Sequence, residues 1–313
     1  MRWRINEYNE SILNFELYIL NFMTSSVLHI PPISQAVLRW PGSKWRLAPK
    51  LVQLMPEHLV YVEVCGGSGA VMLHKEPLPG EVYNDVDGDV VLFWEVVRDP
   101  VERELLAEAV FCTPYAREGF EEASGDAYLP GTTANDRVER VRRFLVRCWM
   151  RNYTKTHARR NGFDCRINKS DGYNRTRSWM KLPGLIQAVG ERFRGVIIEQ
   201  KPAVELMPQY DREGVLFFVD PPYLDTRKRY ASDFRYADFF ALARVMLEAK
   251  GMVMLAGYPS VMHRELFEAE GWERVDFTSR TENAAARKEC VWMNPALVKS
   301  RKDERHNLFG VKL

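Results

Sequence analysis

The sequence predicts an α/β fold built on a mostly parallel sheet, and three observations point to it. An apolar run, residues 215–219, leads directly into "DPPY" at Asp220–Tyr223. A strand-like segment, "LVYVEV", runs into a glycine-rich turn and then an apolar helix start, and a second short strand ends at Asp85. Strand, glycine turn and helix make the first unit of nucleotide-binding α/β proteins, whose ligands lie beyond the carboxyl ends of the strands.

Composition is that of an ordinary globular protein. The chain has 313 residues, of which 46% are hydrophobic and 27% charged. Its five cysteines are an odd number without a CxxC pair, which predicts a reducing, cytoplasmic location and argues against a disulfide framework or zinc site. No apolar run approaches the ~20 residues that a membrane span needs.

Residues 1–33 are predicted to be a leader, either amphipathic or partly disordered. Asn14, Glu16 and Asn21 interrupt its apolar stretch, and no small-residue cleavage pattern is clear, so a signal peptide fits poorly. The segment "HIPPIS" then indicates a linker before the folded domain.

Positive charge is concentrated in one region. Residues 137–181 contain 14 Lys and Arg against three acids, although the whole chain carries only +2. Aromatic residues are interleaved with these charges. A basic block in an otherwise acidic protein is typical of a polyanion-binding surface.

The basic block divides into a helix and a loop. Residues 135–152 place Val138, Val141 and Leu145 at helical spacing, with Asn135 or Asp136 as the predicted cap. The arginines of this helix fit a solvated face as well as a binding face. Residues 157–179 are polar and predict an exposed loop that contacts nucleic acid.

The carboxyl-terminal part continues the sheet. Two successive prolines end the buried strand 215–219 and stiffen the turn that carries Asp220 and Tyr223. Residues 251–260 predict another parallel strand. Residues 272–277 and 289–294 predict a closing hairpin with a mobile loop at 281–288.

Four motifs in order resemble Dam-type DNA adenine-N6 methyltransferases, and the chain looks like a phage or prophage member of that family. They are "RWPGSK" (39–44), "EVCGGSGA" (63–70), "YNDVD" (83–87) and "DPPY" (220–223). The resemblance covers roughly residues 38–295.

The resemblance implies a Rossmann-like methyltransferase sheet with one antiparallel edge strand. It assigns residues 34–103 and 195–298 to the methyltransferase core. Residues 104–194 would be a mainly helical target-recognition insertion, and residues 299–313 a basic tail.

The resemblance also implies a cofactor, S-adenosylmethionine, and no metal. Matching the family's motifs residue by residue identifies the cofactor-binding positions. They are Trp40, Lys44, Glu63, Gly66, Gly67, Gly69, Asp85 and Asp220, with Asp85 as the ribose-binding acid.

Asp220, Pro221 and Tyr223 are the predicted catalytic residues. The resemblance supplies the reaction, which is methyl transfer to the exocyclic amine of an adenine flipped out of duplex DNA. The Asp220 carboxylate and the Pro221 carbonyl would accept hydrogen bonds from that amine. Tyr223 would stack on the base.

Double-stranded DNA is the expected partner of an enzyme that we expect to be a monomer, and a cognate restriction endonuclease remains open. Eight residues are predicted to contact DNA: Arg159, Arg160, Arg166, Arg175, Arg177, Arg227, Lys228 and Arg229. Two alternatives stay open: methylation of the cytosine exocyclic amine, and a catalytically inactive DNA-binding relative. Asp220 favours adenine over cytosine, whereas Val64, where the family usually has proline, leaves room for the second.

Overall fold

A computed structural model describes the protein over most of its length. The described residues are 32–125, 133–152, 162–165, 175–223, 234–279 and 287–308. Contacts divide the chain into Met1–Pro32 and Ile33–Leu313, and the described strands and helices all belong to the second unit. The predicted leader therefore lies almost wholly outside the described residues.

Seven strands form one sheet in the order β3-β2-β1-β4-β5-β7-β6. Their bounds are β1 Val60–Glu63, β2 Gly80–Asn84, β3 Ile197–Glu199, β4 Val215–Val219, β5 Met252–Gly257, β6 Glu273–Ser279 and β7 Arg287–Met293. The first five strands in chain order pair in parallel, and β7 is antiparallel to both β5 and β6. The predicted α/β class, with a mostly parallel sheet, is confirmed.

The described residues contain twelve α-helices. They are α1 Ala48–Val52, α2 Ala70–His74, α3 Gly88–Arg98, α4 Pro100–Phe111, α5 Arg117–Ser124, α6 Ala134–Met150, α7 Arg175–Met180, α8 Leu182–Phe193, α9 Ala203–Tyr210, α10 Tyr236–Leu247, α11 Val261–Leu266 and α12 Pro295–Leu308. The buried side chains of these helices join those of the strands in two core clusters, which take alternate residues of β4. None of the described helices is long and apolar enough to cross a bilayer.

The central strands bring three predicted site residues to one edge of the sheet. All five residues of β4 are buried, because helices cover both of its faces. In the parallel register Glu63 of β1 lies beside Phe218 of β4 and Tyr83 of β2. Glu63, Asp85 and Asp220 therefore meet at the carboxyl edge.

The closing hairpin forms as predicted, and the antiparallel strand is its second strand. β7 lies between β5 and β6, so β6 is the outermost strand on that side. Residues 281–286 of the loop predicted at 281–288 lie outside the described residues, and its last two residues begin β7. The opposite edge is β3, a three-residue strand with Ile197 51% exposed, and the sequence interpretation missed it.

The long basic helix forms, but its cap differs from the prediction. Thr133 is the N-cap, because its backbone is extended and its side chain accepts from Asp136 N. In return, the Asp136 carboxylate accepts from Thr133 N, which completes a capping box. Asn135 lies inside the helix.

Helices from the predicted insertion share the core of the sheet domain. The ring of Phe193, at the end of α8, stacks on Trp94 of α3 with centroids 3.9 Å apart. The same ring contacts Tyr83 of β2 edge-on at 5.6 Å. The end of α8 therefore packs against both α3 and β2. The boundaries of the insertion at residues 104 and 194 stay a prediction.

Candidate active site

A cavity of about 580 Å³ opens at the carboxyl edge of β1, β2 and β4. Seven of the eight predicted cofactor-binding residues line it: Trp40, Lys44, Glu63, Gly66, Gly67, Asp85 and Asp220. Gly69 is not among the lining residues. It is the N-cap of α2, with a φ of 61° that favours glycine.

The glycine turn is shaped by the aromatic rings packed against it. A Cβ on Gly66 would lie 2.1 Å from the ring of Tyr83, and one on Gly67 would lie 2.6 Å from the ring of Trp40. Gly67 also has a φ of 48°. Because these two glycines have no Cβ, their backbone can pack directly against the rings and line the cavity.

Asp85 holds the glycine turn in place. Its Oδ2 accepts from Gly67 N at 2.8 Å, and its Oδ1 accepts from Asp87 N at 2.9 Å. Burial raises the pKa of the Asp85 carboxyl, and these two hydrogen bonds act in the opposite direction. A carboxylate has about four acceptor positions, so Asp85 can still accept from a ligand.

Glu63 is a buried carboxyl group in the cavity wall. It is 2% exposed, and its Oε2 accepts from Tyr61 Oη at 3.0 Å and Met72 N at 2.8 Å. Burial raises the pKa of Glu63 to about 8, although the two hydrogen bonds counteract it. A cationic ligand in the cavity would favour the ionised form of this group.

Asp220 receives one donor on each carboxylate oxygen. Lys44 Nζ lies 2.7 Å from Oδ2, and Tyr223 Oη donates to Oδ1 at 3.0 Å. Lys44 Nζ also donates to Gly42 O at 2.9 Å. The "PGSK" segment and the "DPPY" turn, 176 residues apart, are therefore joined at one carboxylate.

The other two predicted catalytic residues lie beside Asp220. Pro221 is buried and Tyr223 is half-buried. Burial raises the pKa of Tyr223 well above its usual value, and the neighbouring Asp220 charge adds to the effect, so the phenol stays protonated. The Tyr223 ring contacts Tyr258, with centroids 4.6 Å apart.

Part of the cavity wall was not predicted from the sequence. It comes from the residues after β3 and from the start of α10: Pro202, Ala203, Val204, Phe234, Asp238, Ala241 and Leu242. The first group could have been found from the apolar run at residues 196–198, which is typical of a short strand. The contribution of α10 had no sequence signal, since it depends on how that helix packs.

Of the predicted DNA-contacting residues, only Arg175 and Arg177 are described. Arg175 Nη1 lies 2.5 Å from Oδ2 of Asp164, a carboxylate that is fully buried. Arg177 is exposed on α7. Arg159, Arg160, Arg166, Arg227, Lys228 and Arg229 lie outside the described residues.

Three of the five arginines of α6 form ion pairs with acids outside the basic block, and the other two pair with Glu139 within it. Arg140 and Arg147 both pair with Asp89 of α3, at 2.8 and 2.9 Å. Arg137 pairs with Glu102 of α4 at 2.8 Å and with Glu95 at 3.3 Å. The helix thus directs much of its charge toward acids of the protein rather than toward solvent.

Among the described residues, no group of three or more His, Cys, Asp and Glu side chains is placed to hold a metal ion.

A comparison with curated proteins found no match. A comparison with protein families found one match over residues 40–276, more than half of the chain, to the D12 class N6 adenine-specific DNA methyltransferases. The matched region begins at Trp40 and includes the glycine turn, Asp85 and the "DPPY" turn. The chain therefore belongs to the D12 class N6 adenine-specific DNA methyltransferase family.

Proposed function

We propose that the cavity beside Asp220 binds S-adenosylmethionine and that Asp220, Pro221 and Tyr223 receive the target adenine. The family's reaction is methylation of adenine N6 in DNA. The observation that carries the proposal is the position of Asp220, which lines the cavity and is bonded to both Lys44 and Tyr223. This carboxylate lies where a donor and a base could meet.

The cavity fits a cationic nucleoside of this kind. Its volume of about 580 Å³ is within the usual range of ~300–1,000 Å³ for small-molecule sites. The glycine turn exposes backbone on one side, and Asp85 and Asp220 supply carboxylates. Glu63 can ionise when a cation binds beside it. Trp40 and Val86 add apolar surface for a base. When bound, the donor supplies a methyl group on a positively charged sulfur.

The task of the protein is then to orient the adenine amine. N6 is a weak nucleophile because its lone pair is delocalised into the ring. Acceptors for both N–H groups favour a pyramidal nitrogen, and Asp220 and the Pro221 carbonyl are two such acceptors on a stiff turn. Tyr223 stacks on the base, which contributes about 1–3 kcal/mol. The base leaves the duplex to reach this turn.

Lys44 and Tyr223 leave Asp220 able to accept this amine. Two of the roughly four acceptor positions of a carboxylate are used by them, so two remain. Lys44 uses two of its three ammonium hydrogens, on Asp220 and Gly42 O. The third can reach a ligand, which keeps Lys44 a predicted cofactor contact as well as an orienting partner of Asp220.

Target recognition is assigned to residues 104–194. The support is their basic and aromatic composition. Arg177 provides one exposed cation there. Arg159, Arg160 and Arg166 extend this proposed surface, and Arg227, Lys228 and Arg229, which follow the "DPPY" turn in the chain, would meet phosphates near the flipped base. Arg175 belongs to the surface as a predicted contact, although its guanidinium is paired with Asp164.

Replacing Asp220 tests the proposal. Asp220→Ala removes the acceptor, so turnover should fall by about 100-fold or more, while DNA binding at fixed salt stays near the wild-type level. Turnover is measured as label transferred from S-adenosylmethionine to unmethylated DNA, followed by digestion to nucleosides. Asp303→Ala, at an exposed carboxylate on α12, is the matched control and should behave as wild type. Wild-type turnover in Asp220→Ala, or label on methylcytosine, would contradict the assignment.

A further inference from the structure

Tyr258 lies next to the proposed base-binding ring but outside the cofactor cavity. It follows Gly257, the last residue of β5, and β5 pairs with β4, which carries Asp220 at its end. The rings of Tyr258 and Tyr223 have centroids 4.6 Å apart and planes inclined at 58°. Tilted ring pairs at this distance attract one another.

The backbone before Tyr258 is held by tight packing. A Cβ on Gly257 would lie 3.1 Å from the indole of Trp292 and 3.4 Å from Nε2 of His263. The imidazole of His263 stacks on that indole at 4.6 Å. The end of β5 is thus packed tightly against β7, which holds the backbone next to Tyr258 in place.

At least three contacts position Tyr223. Its hydroxyl donates to Asp220 Oδ1 at 3.0 Å, and Lys44 Nζ lies 5.1 Å from its ring centroid. The third contact is the Tyr258 ring. The first two contacts involve the polar groups at Asp220, where the substrate amine is received. The Tyr258 contact is between rings and does not involve Asp220.

We propose that Tyr258 is a positioning residue for the target base, holding the Tyr223 ring in the orientation that stacks on the flipped adenine. The inference rests on the proposed role of Tyr223. Loss of this tilted ring pair should make the productive orientation of the Tyr223 ring roughly 2- to 10-fold less favoured. The effect belongs to base capture, so cofactor affinity should not change.

The test compares Tyr258→Leu, which removes the ring, with Tyr258→Phe, which keeps it. Sequencing DNA methylated by the wild-type enzyme identifies the target adenine, and 2-aminopurine then replaces that adenine in a duplex. Fluorescence that rises on enzyme binding reports the extruded base. Tyr258→Leu should reduce this rise. On the duplex that contains adenine, it should lower kcat/KM by roughly 2- to 10-fold, with an unchanged Kd for S-adenosylmethionine. Tyr258→Phe should retain both signals.

Two further variants separate the possible failures. Phe111→Leu, at an aromatic residue 79% exposed on α4, controls for the loss of a surface ring. Tyr223→Leu tests the stacking role itself, and adding Tyr258→Leu to it should cost little more, because Tyr258 acts through Tyr223. Additive losses, or wild-type fluorescence in Tyr258→Leu, would overturn the inference. Wild-type fluorescence in Tyr223→Leu would instead overturn the stacking role in the proposed function.

Discussion

At the scale of single residues, the site depends on carboxyl groups whose surroundings differ. Asp220 has a cation on one oxygen and a phenol on the other. Glu63, one strand away, has two neutral donors on one oxygen and almost no solvent. The first arrangement suits an ionised acceptor. The second suits a carboxyl group that stays protonated near neutral pH until a cation arrives.

The pH dependence of stability tests the state of Glu63. Its folded-state pKa is about 8 and its ordinary value is 4.5, so the folded chain holds this proton more tightly than the unfolded chain. The stability that this proton contributes is complete below pH 4.5 and is lost as the pH rises to about 8. Glu63→Gln, which cannot ionise, should therefore gain stability relative to wild type by a few kcal/mol between about pH 5 and about pH 8.5.

Urea denaturation at several pH values measures this gain. The exposed Glu118→Gln variant is the control and should track wild type at every pH. A difference between Glu63→Gln and wild type that stays constant with pH would mean that Glu63 is ionised in the folded chain throughout.

At the scale of elements, strand ends and the glycine turn decide where the site forms. The apolar run of β4 and its two prolines were legible in the sequence, because both limit the backbone locally. The cap of α6 was not, since "TTANDR" offers several capping side chains. The extended backbone of Thr133, which the sequence does not display, selects one of them.

Substitution in the glycine turn gives a prediction at this scale. Gly66→Ala would place a methyl group 2.1 Å from the Tyr83 ring, so the turn must shift. We expect a loss of about 1–3 kcal/mol in the free energy of unfolding and weaker binding of S-adenosylmethionine. Thermal unfolding and titration calorimetry measure the two effects.

Gly119→Ala is the matched control for this substitution. Gly119 lies in α5, and a Cβ there would have no described heavy atom within 4 Å. Alanine should therefore be neutral or stabilise the helix by up to about 1 kcal/mol. Normal cofactor affinity in Gly66→Ala would argue against a role for the turn in binding the cofactor.

At the scale of the whole molecule, tertiary structure redistributes the charge of the basic block. The sequence counts only three acids within residues 137–181. The fold adds Asp89, Glu95 and Glu102 from α3 and α4 as partners for the α6 arginines. Phosphate contacts are thus expected from Arg177, which is exposed on α7, more than from α6 itself.

Two arginine variants should separate these roles. Arg147→Gln loses its ion pair with Asp89 and its hydrogen bond to Ala123 O. This loss should cost about 1 kcal/mol of stability without changing the salt dependence of DNA binding. Arg177→Gln, at an exposed side chain, should cost less stability than Arg147→Gln. It should reduce the slope of log K against log salt by about 1, because one phosphate contact is lost. The opposite pattern would place the DNA surface on α6.

Sequence patterns were enough to predict the α/β class, the order of the motifs and the residues at the carboxyl ends of the strands. Local patterns carry this information: apolar runs set strands, prolines and glycines set turns, and the polar residue after each strand falls at the same edge. The family resemblance added Trp40 and Lys44, which lie before the first described strand, and seven of the eight predicted cofactor residues line one cavity.

The contacts between groups that are distant along the chain became apparent from the folded structure. The Lys44–Asp220 pair, the contribution of α10 to the cavity wall, the contact of Tyr258 with Tyr223 and the acids that balance α6 all join distant segments. Such contacts are determined by side-chain packing and by the register of neighbouring strands. Neither leaves a periodic signal in the sequence, because each depends on residues that are far apart along the chain.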